Sequence, residues 1–191
     1  MDLAPILSDI EALCGAPLSA RGAGSDTVLT VPPAKARAAV EFLKAKHGFN
    51  VLVDLTCVDY QGFGKGTQNV SPAPEGRRFK LVYRLMALDA GTGLIKARLA
   101  LDSWVDGESV PATIKDLFPA ADWLEREVWD MFGVRFADRP DVKRILMYPE
   151  FTGHPLRKDY PIKKRQPLIG PADASARERL SPADLRPRIV E

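Results

Sequence analysis

Between Trp123 and Pro161 the chain reads WLEREVWDMFGVRFADRPDVKRILMYPEFTGHPLRKDYP, and carboxylates, guanidiniums, aromatics, glycine and proline alternate there too densely for an ordinary solvated surface. Glu125, Glu127 and Asp130 are the groups able to serve as general acid and base. Arg126 stands among them and favours their charged forms, whereas a hydrolase needs one carboxyl held protonated near neutral pH. Two other readings remain. In one, these residues form a solvated helix face laced by i, i+3 and i, i+4 pairs. In the other, Arg126 makes forked hydrogen bonds to a carboxylate and fixes the helix against the following loops or a partner chain. Further on, Gly153, His154, Pro155, Arg157, Lys158, Asp159 and Tyr160 collect in a segment that Pro149, Pro155 and Pro161 bar from regular structure. Polar groups on a loop held by rigid neighbours are suited to docking.

The elements around these residues follow from periodicity. Leu124, Val128, Met131 and Phe132 make an apolar stripe of helical period, Gly133 stands where a left-handed cap would end it, and Asp122 with Glu125 has capping-box spacing. A short strand is expected over Val134–Phe136, and Asp141 would cap a helical piece carrying Val142, Ile145 and Leu146. Upstream, residues 3–14 read as a helix and Val28–Val31 as a strand. Pro32-Pro33 opens a second helix that Gly48 ends. Phe49–Val58, Phe79–Leu88 and Leu94–Leu101 read as strands, with a Gly- and Pro-rich loop over residues 59–77 and a helix over Pro111–Leu117 before the motif helix. This order predicts an α+β fold, a mostly antiparallel or mixed sheet with helices packed on one face. The expected division is a domain over 1–161 and an extended, Pro-rich C-terminal arm over 162–191.

The runs EREVWDMFG, F-x-x-R-P-D-x-K-R-I-L and GHPLRKDYP, in that order, resemble the 30 kDa subunit of the proton-pumping NADH:quinone oxidoreductase, respiratory complex I. The motifs cover residues 125–161, and the remainder agrees in size and coarse pattern. The family usually carries His where this chain has Arg139, which preserves a cationic contact there and not an imidazole. The resemblance implies a non-redox structural subunit of the peripheral arm, in the stand-alone form, packed chiefly against the large quinone-site subunit. It implies a peripheral location at the cytoplasmic face of the bacterial inner membrane, with FMN and Fe-S clusters held by other subunits that carry electrons from NADH to quinone. Its interface residues would be Glu125, Arg126, Glu127, Asp130, Arg144, Gly153, His154, Pro155, Arg157, Lys158, Asp159 and Tyr160. The equivalent component of a complex I-like membrane-bound hydrogenase or dehydrogenase is the alternative.

Composition agrees with a supporting role. The 191 residues, 46% hydrophobic, suffice for one core, and the two cysteines, Cys14 and Cys57, read as small buried apolar residues. They form no C-x-x-C and no four-ligand set for a cluster or zinc. No G-x-G-x-x-G follows a strand, and Gly64-Lys65-Gly66-Thr67 does not complete a P-loop. The N-terminus MDLAPILSDIEAL lacks the basic start and long apolar core of a signal peptide, and no apolar run approaches the roughly 20 residues of a membrane span. Membrane association is therefore expected only through partners. Net charge is +2, with a local basic excess in Lys143, Arg144, Arg157, Lys158, Lys163, Lys164 and Arg165. Aromatics at stacking spacing are missing around it, so nucleic acid is not the expected partner.

Overall fold

The computed structural model describes residues 4–22, 27–62, 73–74, 76–106, 108–140 and 142–163. In chain order the elements are α1 (Ala4–Cys14), β1 (Ser19–Arg21), β2 (Val28–Thr30), α2 (Pro33–His47), β3 (Val51–Asp59), β4 (Phe79–Leu88), β5 (Ile95–Val105) and α3 (Ala121–Phe132). These belong to the compact unit Met1–Tyr160. Of Pro161–Glu191 only residues 161–163 are described, so the expected arm lies almost wholly outside the described residues. The same holds for residues 63–72 of the long loop between β3 and β4.

The sheet runs β1-β2-β5-β4-β3, and it is mixed because β2 pairs β5 in parallel while the other neighbours are antiparallel. Along β4, Phe79, Leu81, Tyr83, Leu85 and Ala87 point to one face and are buried, and on β5 Leu99, Leu101, Ser103 and Val105 join them. On β3 both Leu52 and Leu55 are buried although their spacing is odd. A break in register between Leu52 and Asp54 absorbs the extra residue, leaving Val53 54% exposed and returning Leu55, Cys57 and Asp59 to the core side. Against this face α3 lies on β3 and α2 on β5, with α1 behind α2. Ile6, Ile10, Ala36, Val40, Leu43, Val128 and Phe132 close the core. Cys57 is buried in it as a free thiol, its pKa pushed up to about 12 by burial, whereas Cys14 is only half-buried.

Three expected elements are not formed. Over Pro111–Leu117 there is no helix: Ala112 makes a parallel bridge to Ala137, and a turn at residues 115–117 leads into α3. The chain stays extended there because the Thr113 hydroxyl and the Ile114 N–H are both directed at the Glu125 carboxylate. Val134–Phe136 contributes no strand beyond that bridge at Ala137. Val142–Met147 is irregular, and the N–H groups of Ile145, Leu146 and Met147 all turn toward a single side chain on α3. Asp141, the expected cap, lies outside the described residues.

Candidate functional site

Helix α3 organises the motif by presenting two carboxylates on opposite sides of a buried apolar face. Its start is not a capping box. The N-cap is Ala120, with no side-chain cap bond, and Asp122 and Glu125 are both taken by Arg139. Its end is Gly133, φ 76°, whose N–H bonds to the Trp129 carbonyl at 2.8 Å. A Cβ at Gly133 would stand 2.6 Å from the His154 ring, so glycine is required there twice, for the left-handed turn and for the ring that closes over it.

Asp130 is fully buried and forms the first node. Its Oδ2 accepts the N–H groups of Ile145, Leu146 and Met147 at 3.1, 2.9 and 3.0 Å, and its Oδ1 is paired with Arg144. Three successive amides converging on one oxygen make an anion-binding nest, which is why this segment has no helical bonding. Burial pushes the Asp130 pKa up, but the amides and Arg144 outweigh it and hold the group below the ordinary carboxylate range. From the same guanidinium, Nη2 reaches the carbonyls of Phe151 at 2.8 Å and Gly153 at 3.1 Å, and the fork lies over Trp129 and Phe151. His154 Nδ1 stands 3.0 Å from the Asp130 carbonyl, and burial lowers its pKa. Leu156 N–H bonds to the Met131 carbonyl at 3.1 Å.

Glu125 forms the second node. Its Oε2 accepts Thr113 Oγ1 at 2.6 Å and Arg139 Nη1 at 2.8 Å, and its Oε1 accepts the Ile114 N–H. Arg139 also reaches Asp122 at 2.7 Å. Here burial dominates, and the Glu125 pKa is raised despite these donors. The cationic contact expected at Arg139 is therefore an internal one.

The third node was not legible as a site residue. Asp59, 1% exposed, accepts a true fork from Arg78, Nε to Oδ1 at 3.0 Å and Nη2 to Oδ2 at 2.7 Å, together with the N–H groups of Gln61 and Lys158, each at 2.9 Å. Arg78 continues to Asp159, 2.9 Å away. Burial opposes ionisation of Asp59, and Arg78 with the amides overcomes it. The signal available in sequence was parity, because Asp59 ends a strand whose alternate residues are core, and a carboxylate there demands a cation.

The remaining motif residues divide between these ties and the surface. Among the described residues Arg126 meets no carboxylate. Its Nε donates to the Lys143 carbonyl at 3.1 Å and its plane covers Trp123, so it fixes the helix to the following loop through carbonyls, while the carboxylate forks are those of Arg78 on Asp59 and Arg37 on Asp116. Glu127 is exposed. Arg157 lies over the Phe79 ring, and Tyr160 stacks on Phe151 and crowds Gly153, φ 99°. Pro155 is half-buried between His154 and Leu156, and the Lys158 side chain is exposed while its amide is bound. Among the described residues no group of three or more His, Cys, Asp or Glu side chains could hold a metal ion. The described arrangement immobilises the charges of Asp59, Glu125 and Asp130 and holds residues 142–156 against α3.

The residues brought together by these nodes, on a mixed sheet with helices on one face, define an α+β protein whose most charged segment is locked by internal ion pairs. The family described as the 30 kDa subunit of respiratory-chain NADH dehydrogenase matches residues 29–166, and the chain belongs to that family. It is 39% identical to an NADH-quinone oxidoreductase subunit of Trichlorobacter lovleyi over 76% of this chain and 82% of that protein. It is 36% identical to the subunit of the same name from Geobacter sulfurreducens over 80% and 86%. A solved trypsin-resistant fragment (1-134) of Nqo5 superposes with a TM-score of 0.58 at 31% identity, covering 74% of this chain and 99% of the fragment. The protein is thus a subunit of an NADH-quinone oxidoreductase, with complex I subunits as its partners. No helix among the described residues is long and apolar enough to cross a membrane.

Proposed function

We infer that the chain is a non-redox structural subunit of the peripheral arm of complex I, at the cytoplasmic face of the membrane, docking on the large quinone-site subunit through the surface built on α3 and residues 142–160. The complex carries electrons from NADH through FMN and Fe-S centres of other subunits to quinone, coupled to proton translocation. The observation that carries this reading is the division of labour within the motif. Asp59, Glu125 and Asp130 commit their charges to internal ties, and this leaves Trp123, Leu146 and Leu156 exposed at 62%, 55% and 51% on segments those ties hold rigid. Lys143 and Lys158 stand exposed in the same segments, with no ion pair among the described residues. Preordered apolar side chains with cations beside them lose little entropy on association, as a permanent interface requires.

The test is complementation of a strain lacking this protein with Trp123→Asp/Leu156→Asp. The expected result is a chain that melts as the wild type does, together with loss of the large quinone-site subunit from the affinity-purified complex and loss of NADH:quinone activity. Full assembly with both aspartates present would overturn the reading, as would flavin, cluster absorbance or NADH oxidation travelling with the isolated wild-type chain.

A further inference from the structure

The face of the sheet opposite the helices bears a feature that the motif does not use. Arg84 on β4 stands opposite Ala100 on β5, and Met86 opposite Arg98, so the two arginines are diagonal neighbours on this face, with Cβ atoms about 7 Å apart by ladder geometry. Both are exposed, and neither forms an ion pair with any described residue. Asp54 lies opposite Arg84 in the β3–β4 ladder without pairing with it. The two arginines line a hollow of about 630 Å³ together with Thr27, Val28, Val53, Met86 and Ala100, with Val53 lifted into the open by the β3 irregularity. Among the described residues other arginines are paired with carboxylates: Arg37 with Asp116, Arg77 with Asp106, and Arg78, Arg139 and Arg144 at the nodes.

We propose that this helix-free face is a second protein-binding surface, on which Arg84 and Arg98 receive an acidic segment of a neighbouring subunit while an apolar side chain of that segment enters the hollow beside Met86. The proposal rests on membership of a multi-subunit complex but not on the motif surface or on its docking to the quinone-site partner. Charge complementarity selects the occupant. Two forked donors separated by one ladder step suit two carboxylates of an extended chain, whose alternate residues share a face at nearly the same spacing. The apolar part of the lining, Val28, Val53, Met86 and Ala100, suits an apolar side chain, which a free phosphate lacks, and the unbranched Met86 adapts to its shape. Arginine and methionine are also the residue types enriched where subunits meet.

The experiment uses the assembled complex, with p-benzoylphenylalanine placed at Met86 and, in a separate preparation, at Trp123. Irradiation followed by peptide mass spectrometry is expected to join position 86 to a segment, from another subunit, that holds at least two Asp or Glu residues. In the Arg84→Glu/Arg98→Glu background that product should fall about tenfold or more, while Arg84→Lys/Arg98→Lys preserves most of it. The Trp123 crosslink should survive both changes, which separates failure here from failure of the motif surface. The proposal is overturned if position 86 crosslinks to lipid, to a second copy of this chain or to nothing while Trp123 reacts. It is equally overturned if the charge reversal leaves the product undiminished.

Discussion

Glu125 and Asp130 lie on the same helix, both sealed from solvent and both facing an arginine, yet their pKa values move in opposite directions. The difference lies in the donors. Asp130 receives three backbone amides that cannot move away, whereas Glu125 receives one amide, a hydroxyl and a guanidinium shared with Asp122. Burial penalises both charges, and only the amide nest exceeds the penalty. Asp130 is therefore an anion around which residues 142–156 are wrapped. Glu125 is a carboxylate whose ionisation is costly to the fold and which depends on Arg139.

The largest expected effect breaks the Asp130 half of the comparison. Asp130→Ala strands Arg144 and three amides together and should cost about 4 kcal/mol in urea denaturation. Asp130→Asn, which keeps one acceptor oxygen, should cost less. A loss below about 1 kcal/mol for Asp130→Ala would mean that the wrapped segment is held by its aromatics alone.

Arg139→Ala comes next, at about 3 kcal/mol, because Glu125 is left buried without its cation. Adding Glu125→Gln should restore part of that loss, since the double variant no longer buries a charge. If the double variant is no more stable than Arg139→Ala, the guanidinium acts through packing and not through Glu125.

Titration sharpens the contrast. Asp130 has a folded pKa below its ordinary 3.8, so its stabilisation is complete above that value and is lost only as pH falls through the depressed folded value. Glu125 has a folded pKa above its ordinary 4.5, so the folded state takes up the proton first, and stability from this group rises as pH falls toward 4.5. Urea melts from pH 7 to pH 3 should show the stability difference between wild type and Glu125→Gln changing above pH 4.5, and that between wild type and Asp130→Asn changing only below 3.8. Parallel pH profiles for the two variants would contradict the opposite shifts.

Two smaller effects test the segments these carboxylates position. Gly133→Ala should cost about 2 kcal/mol and Gly48→Ala about 1 kcal/mol. Both backbones are left-handed, at 76° and 71°, but only the first would press a methyl into His154. Equal melting shifts would show that the His154 ring moves aside freely. Arg126→Ala should cost the isolated chain under about 1 kcal/mol, since its partners are carbonyls near solvent that water can satisfy.

The two halves of the chain differ in how far local pattern reaches. Over residues 28–105, alternation of apolar residues along β4 and the proline-to-glycine span of α2 determine strand, helix and buried face, because a period of 2.0 or 3.6 is a property of neighbours in the chain. Beyond residue 105 the motifs identified the family, but the elements expected at 111–117, 134–136 and 142–146 did not form. In the first and last of these, a hydroxyl and amides are taken by Glu125 and Asp130, carboxylates 11 to 17 positions away, and no local propensity records such a competitor. The strand Ser19–Arg21 and the β3 irregularity were missed for a related reason, since each exists only through the strand it pairs with. From sequence alone follow the α+β class, the helix around Trp129 and the family. The assignment of each arginine to its carboxylate was decided by the tertiary structure, because partners such as Arg78 and Asp59, 19 positions apart, are joined only when the sheet closes.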